Sequence, residues 1–242
     1  MLKRHTFLVL AAASLLAGGC TSHGADGASA GDTAAPMPLG PSQVFDFDGE
    51  PAGRLPAGWR VEGTRSGLGG GGAGLAEWAV VDDASAPSGS QALAVTASRH
   101  GEQDTFNLCW TDKVSFRDGR LRVAVKAVSG DVDQGGGPIW RVQGRDDYML
   151  CRYNPLEQNF RVYRVHHGVR TQLGSARVDL EGGDWHVIEV VQSGPHVTCT
   201  LDGGALLQAD DDLLPAAGGV GVWTKADALT AFDDLGVEQA KH

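Results

Sequence analysis

The chain has 242 residues, 20 of them Lys or Arg against 30 Asp or Glu, for a net charge of −10. An acidic chain repels phosphate backbones, which argues against a nucleic-acid partner. Beyond the N-terminal apolar stretch, no run reaches the ~18 apolar residues a membrane helix needs.

The N-terminus carries Lys3 and Arg4, then apolar residues from Phe7 to Leu16 and small residues up to Cys20. A basic start, a short apolar segment and small residues before a cut describe a secretory signal, too short to span a membrane. With cysteine at the cut, the run Leu15-Leu16-Ala17-Gly18-Gly19-Cys20 resembles a bacterial lipobox. The resemblance implies cleavage before Cys20, lipidation of Cys20 and, with Thr21 next, sorting to the outer membrane in a cell that has one. Without it, Cys20 is an ordinary thiol in a secretory signal. The expected address is the cell envelope, outside the cytoplasm, with membrane contact through the lipid anchor only. Losing residues 1–19 removes Lys3 and Arg4 but no acid, leaving 18 basic against 30 acidic residues.

Residues 20–43 are small, polar and Pro-rich without apolar periodicity, and predict a lipidated, disordered tether. The remainder divides into one domain over 44–238 and a tail over 239–242. Lipidation of Cys20 leaves Cys109, Cys151 and Cys199, an odd number in a compartment that permits disulfides. Each lies among apolar residues, and buried thiols are the favoured reading.

From Val44 onward, short alternating runs are separated by Gly, Pro, Asp and Ser. Clear examples are Leu121 to Val128, Tyr148 to Tyr153, Asn159 to Val165, Trp185 to Gln192, Val197 to Leu201 and Val220 to Thr224. Asp202-Gly203 between VTCTL and ALLQA predicts a hairpin turn, as does His167-Gly168 between FRVYRV and VRTQL. The adjacent His166 and His167 invite a metal, but neighbours on a strand point to opposite faces, so a solvated turn is expected. Gly67, Gly69 and Gly72 satisfy GxGxxG, yet no helix follows, and a loop is the reading. Roughly twelve to fourteen strands without helices predict an all-β, two-sheet antiparallel jelly-roll sandwich. The segments VFDFDG and TAFDDLGV look like paired terminal strands.

Residues Asp133 to Gly168, with Trp185-His186 and VGVWTKADALTAFDDLGVE, resemble the concanavalin A-like lectin/glucanase superfamily. Within it, the likeness is to bacterial laminin-G-like domains grouped with 3-keto-disaccharide hydrolases and family-16 glycoside hydrolases. It implies one concave face that binds glycans. The residues reach a similar place independently, because aromatic faces stack on sugar rings and planar polar groups bond hydroxyls. Trp140, Arg152, Asn154, Asn159, Trp223 and Lys225 supply that kit, although both tryptophans also suit a core. Arg152 and Asn154 share a strand face with Tyr148 and Leu150. They either line a polar groove or reflect a structural pair of Arg152 with an acid such as Glu157.

Glycoside hydrolysis ordinarily needs two carboxyls across the scissile bond. The Glu-x-Asp-x-x-Glu array of family 16 is missing from the chain, and the nearest candidates, Asp133 and Glu157, fall in expected loops where solvated acids are the plain reading. Carbohydrate binding is therefore the leading expectation, with sugar hydrolysis and protein binding as alternatives. No cofactor is required. A structural calcium at Asp46, Asp48 and Asp233 or Asp234 is the metal expectation, since calcium takes carboxylate oxygens and related sandwiches place an ion where terminal strands meet. Strand alternation accounts for the same residues.

Overall fold

The computed structural model describes residues 37–65, 76–98 and 105–241. The signal, Cys20, most of the tether and the Gly67–Gly74 run lie outside them. Among the described residues there are fifteen strands and no helix.

Eight strands form one antiparallel sheet. Its order is β13 (Ala205–Asp210), β12 (His196–Leu201), β11 (Trp185–Ser193), β6 (Gly119–Ser129), β15 (Leu229–Ala240), β4 (Gln91–Ala97) and β3 (Glu77–Asp82). The remaining member, β1 (Leu39–Phe45), pairs with β15. The second sheet runs β10 (Val169–Arg177), β9 (Asn159–His166), β8 (Asp147–Asn154), β7 (Gly137–Gly144), β14 (Gly218–Lys225), β5 (Thr105–Phe116) and β2 (Trp59–Arg65). This is the two-sheet antiparallel jelly roll the alternation predicts. Terminal strands pair as expected, but Leu39 opposes Ala240, so the domain starts before 44 and continues past 238.

Both two-residue hairpin turns form, with positive φ at Asp202 (51°) and Gly203 (67°), and at His167 (50°) and Gly168 (74°). That conformation is why Asp-Gly and His-Gly stand there. A register shift between Asp233 and Gly236 lets β15 pair with β4 through Ala231 and Phe232, then with β1 from Leu235 onward.

The main core lies between the sheets. Leu93, Leu121, Val123, Ile188 and Val190 meet Cys109, Met149, Cys151, Val162 and Val222 there. Cys109, Cys151 and Cys199 are buried free thiols. Burial, helped by neighbouring Cys199, pushes the Cys151 thiol well up.

A second apolar cluster draws only on the seven-stranded sheet: Phe106, Leu108, Trp110, Ile139, Val142, Tyr148, Leu150, Tyr163, Val165 and Trp223. Side chains alternate along a strand, so these residues occupy the face turned away from the other sheet. They are buried because the sheet curls over them. In a flat sheet, β2 and β8 would be four spacings of ~4.8 Å, or ~19 Å, apart. Instead Thr64 Oγ1 donates to the Arg145 carbonyl in the β7–β8 turn and lies 3.4 Å from Tyr148 Oη. Arg170 of β10 likewise lies 4.8 Å above the Phe106 ring of β5. Gly221 permits the tight packing inside this curl, since a Cβ there would sit 2.3 Å from the Cys109 carbonyl oxygen and 2.5 Å from Trp110 Cα.

Candidate functional site

The curled face is apolar over much of its length and polar at one end. Tyr148, Leu150, Arg152 and Asn154 follow one another along β8 on that face, as alternation requires. On β9, Asn159 opposes Asn154 and Arg161 opposes Arg152, which places both at the polar end. Lys225 is two residues beyond Trp223 on β14. Asp133 arrives from the β6–β7 loop, which Asp227 holds by accepting the N–H groups of Asp131, Val132 and Asp133 at 2.8–3.1 Å.

Asp133 is the hub. Its Oδ1 accepts from Arg152 Nη1 at 2.8 Å and from Asn154 Nδ2 at 3.0 Å, and its Oδ2 accepts from Lys225 Nζ at 3.0 Å. The other Arg152 nitrogen, Nη2, donates to Glu157 Oε2 at 2.7 Å, an oxygen shared with Asn159 Nδ2 (2.8 Å) and Arg161 Nη1 (3.1 Å). Glu157 is itself placed by its N–H donating to Asn154 Oδ1. Asp133 and Arg152 are each 1% exposed, whereas the Glu157 and Arg161 side chains are 37% and 30% exposed and form the rim.

Burial pushes the Asp133 carboxyl above the ordinary aspartate range, against the pull of Arg152 and Lys225. Burial also pushes Glu157 up, but the Asn159 amide and the charges of Arg152 and Arg161 outweigh it and leave the carboxyl low. Three polar atoms on this face are buried without a partner: Arg152 Nε, Asn159 Oδ1 and Arg170 Nη1. The Arg170 guanidinium stacks over Phe106, Tyr163 and Trp223, at 4.8, 4.7 and 6.0 Å from the ring centroids.

Of the residues expected to bind substrate, Arg152, Asn154, Asn159 and Lys225 are gathered in one cluster together with the candidate acids Asp133 and Glu157. The expectation of a solvated Asp133 is corrected: it lies in a loop, but one folded inward onto two cations. Trp140 is also corrected. It faces the inter-sheet core, fully buried, and donates from Nε1 to Gln192 Oε1 at 2.8 Å, so it cannot stack on a sugar. Trp223 is on the right face but wholly covered, its Nε1 donating to Tyr148 Oη at 3.2 Å. It is floor rather than platform. Sequence reasoning passed over Arg161, Tyr163 and Arg170. The first two follow Asn159 at every second residue, and the His167-Gly168 turn puts Arg170 opposite Val165 on the same face.

The residues expected to hold calcium accept hydrogen bonds from the loop before β4 and from their own strand ends. Asp48 Oδ1 accepts from Ser90 N at 3.1 Å, Asp233 Oδ2 from Ser88 N at 3.1 Å and Asp234 Oδ1 from Ser88 Oγ at 2.8 Å. Asp46 Oδ1 accepts from the Asp48 N–H. No three of these carboxylates bring oxygens within 4.8 Å of one another.

No protein-family model matches the chain, and no curated protein matches its sequence. Among solved structures, the carbohydrate-binding module CBM66 from Bacillus subtilis is similar at 14% identity, with TM-score 0.57 over 76% of this chain and 96% of that one. SCLam, a non-specific endo-β-1,3(4)-glucanase of family GH16, gives TM-score 0.54 at 13% identity, covering 86% and 95% of the two chains. A LamA variant from Z. galactanivorans, solved with laminaritriose and laminaritetraose, gives 0.52 at 11% identity over 83% and 98%. The fold is thus the jelly roll found in carbohydrate-binding modules and family-16 glucanases.

Proposed function

We propose that this domain binds a saccharide at the polar end of its curled sheet, and that a lipid on Cys20 tethers it to the outer side of the cell envelope. The observation that carries the binding reading is the solvent-facing rim of Glu157 and Arg161, 37% and 30% exposed, seated on the buried polar cluster of Asp133, Arg152, Asn154, Asn159 and Lys225. A guanidinium and a carboxylate held side by side at the surface offer a hydroxyl-rich ligand charge-assisted hydrogen bonds in a fixed geometry. The cluster and the adjoining Arg170 hold four cations (Arg152, Arg161, Arg170, Lys225) against two acids (Asp133, Glu157), which favours sugars that carry a carboxylate. Similar folds in a carbohydrate-binding module and in a laminarin-oligosaccharide complex support the reading.

The test is a glycan array run with the whole chain and with the rim variants Arg161→Ala and Glu157→Gln, each first checked for folding by circular dichroism. Retention should fall at least tenfold in both variants. Equal retention in all three proteins sinks the assignment.

Sugar hydrolysis is the second reading, resting on one carboxyl pushed up and another held low, the division of labour an acid–base pair needs. Against it, the Arg152 guanidinium bridges Asp133 and Glu157 and fills the space a scissile bond would occupy. Turnover of a disaccharide or its 3-keto derivative that disappears in Glu157→Gln would reverse that preference. Protein binding has less support. The exposed large apolar residues Val44, Val128, Leu156, Val169, Leu206 and Leu213 are spread over six separate segments.

A further inference from the structure

We infer that Asp147, His166 and His167 form a surface site for a divalent transition-metal ion of the zinc, copper or nickel type. Strand alternation alone would send the two histidines to opposite faces. The structure departs from it because His167 belongs to the turn and has φ 50°, which swings its side chain back beside that of His166. The two imidazole centroids are 3.9 Å apart with an interplanar angle of 33°. Asp147 comes from the neighbouring hairpin, since β8 pairs with β9 and brings the β7–β8 turn alongside.

The carboxylate is already aimed at both rings. Asp147 Oδ1 lies 2.6 Å from His166 Nδ1 and 3.9 Å from His167 Nδ1, and it accepts the His167 backbone N–H at 3.0 Å. One ligand atom from each residue falls within 4.8 Å of the others, the only such trio among the described residues. Both turns are braced independently of any ion, by Gly168 N donating to Asp146 O at 2.9 Å and by Thr64 donating to the Arg145 carbonyl. The backbone that carries the trio is therefore fixed without a metal, and rotation of the exposed His167 ring out of its stack on His166 would turn a lone pair of each ring toward one ion.

Two imidazole nitrogens and one carboxylate suit zinc, copper(II) or nickel(II) and not calcium or magnesium, which take oxygen ligands. The His167 side chain is 79% exposed, so the remaining coordination positions open to solvent and would carry water. The site is at the opposite end of β8 and β9 from Arg152 and Asn159, and it does not depend on the saccharide reading.

Isothermal titration of the whole chain with zinc chloride, and separately with copper(II) chloride, tests the assignment. One equivalent should bind with micromolar affinity, while calcium and magnesium give no saturable heat. His167→Asn keeps a residue tolerant of positive φ, and with His166→Gln it should weaken binding at least tenfold each, without change in the circular dichroism spectrum. Zinc should raise the Tm of the native chain and leave that of the double variant unmoved. No saturable binding below about 100 μM, or full-strength binding in the double variant, overturns the inference.

Discussion

The buried cluster around Asp133 makes a demand that denaturation can measure. Asp133 and Arg152 are both 1% exposed and joined at 2.8 Å, with Lys225 on the second carboxylate oxygen. Replacing Arg152 by Met leaves a buried carboxylate with one cation instead of two, and breaking a buried pair in this way costs about 3–5 kcal/mol. For a domain of this size each kcal/mol lowers Tm by about 2–4 °C, so the variant should melt about 6–20 °C lower. Asp133→Asn should cost a similar amount, because Arg152 then keeps only the half-exposed Glu157. The double variant removes both charges and should lose less than the sum, with a coupling of about 1–3 kcal/mol. Urea titrations of the four proteins at pH 7 complete the cycle. Additive losses, or single losses under ~1 kcal/mol, would mean that the pair is solvated and that the cluster is not the electrostatic unit described.

Trp140→Phe should leave saccharide retention unchanged while costing about 1–3 kcal/mol in urea, because it strands the buried Gln192 carbonyl; a binding loss would put Trp140 on the wrong face. Gly221→Ala should destabilise by ~1–3 kcal/mol, since its new methyl meets the backbone of Cys109 and Trp110 rather than a movable side-chain tip; a neutral urea midpoint would show the curl to be looser than drawn. Burial, with Asp234 adding to it, pushes the Asp233 carboxyl up from 3.8 to about 6. The folded state therefore holds this proton more tightly than the unfolded chain. The group's contribution is full below pH 3.8 and is lost as pH rises through about 6. Asp234→Asn removes the like charge at a position of φ 51° that Asn tolerates, so it should lower the Asp233 pKa and flatten the stability profile between pH 4 and 7. An unchanged profile refutes the coupling.

Much of the architecture is legible in residue order. Period-two runs mark β8, β9, β11 and β14, His167-Gly168 marks the β9–β10 turn and Asp202-Gly203 the β12–β13 turn, and the aspartate-interleaved ends mark a terminal pair. The same alternation puts Arg152 and Asn154 on one face, and carried over the next two strands it would have added Arg161 and Tyr163 on β9 and Arg170 on β10. It cannot separate Trp140 from Trp223, because both read as large aromatics on strands and only the packing of two sheets makes one face core. It also misplaces His167, whose turn conformation breaks the period.

Local spacing thus determines which side chains share a face, for that depends on backbone geometry over two or three residues. Only the tertiary structure decides what the face becomes. The curl that lays Arg170 over Phe106, and the loop clamp by Asp227 that folds Asp133 inward to meet Lys225, join residues far apart in the chain through contacts that no local period encodes.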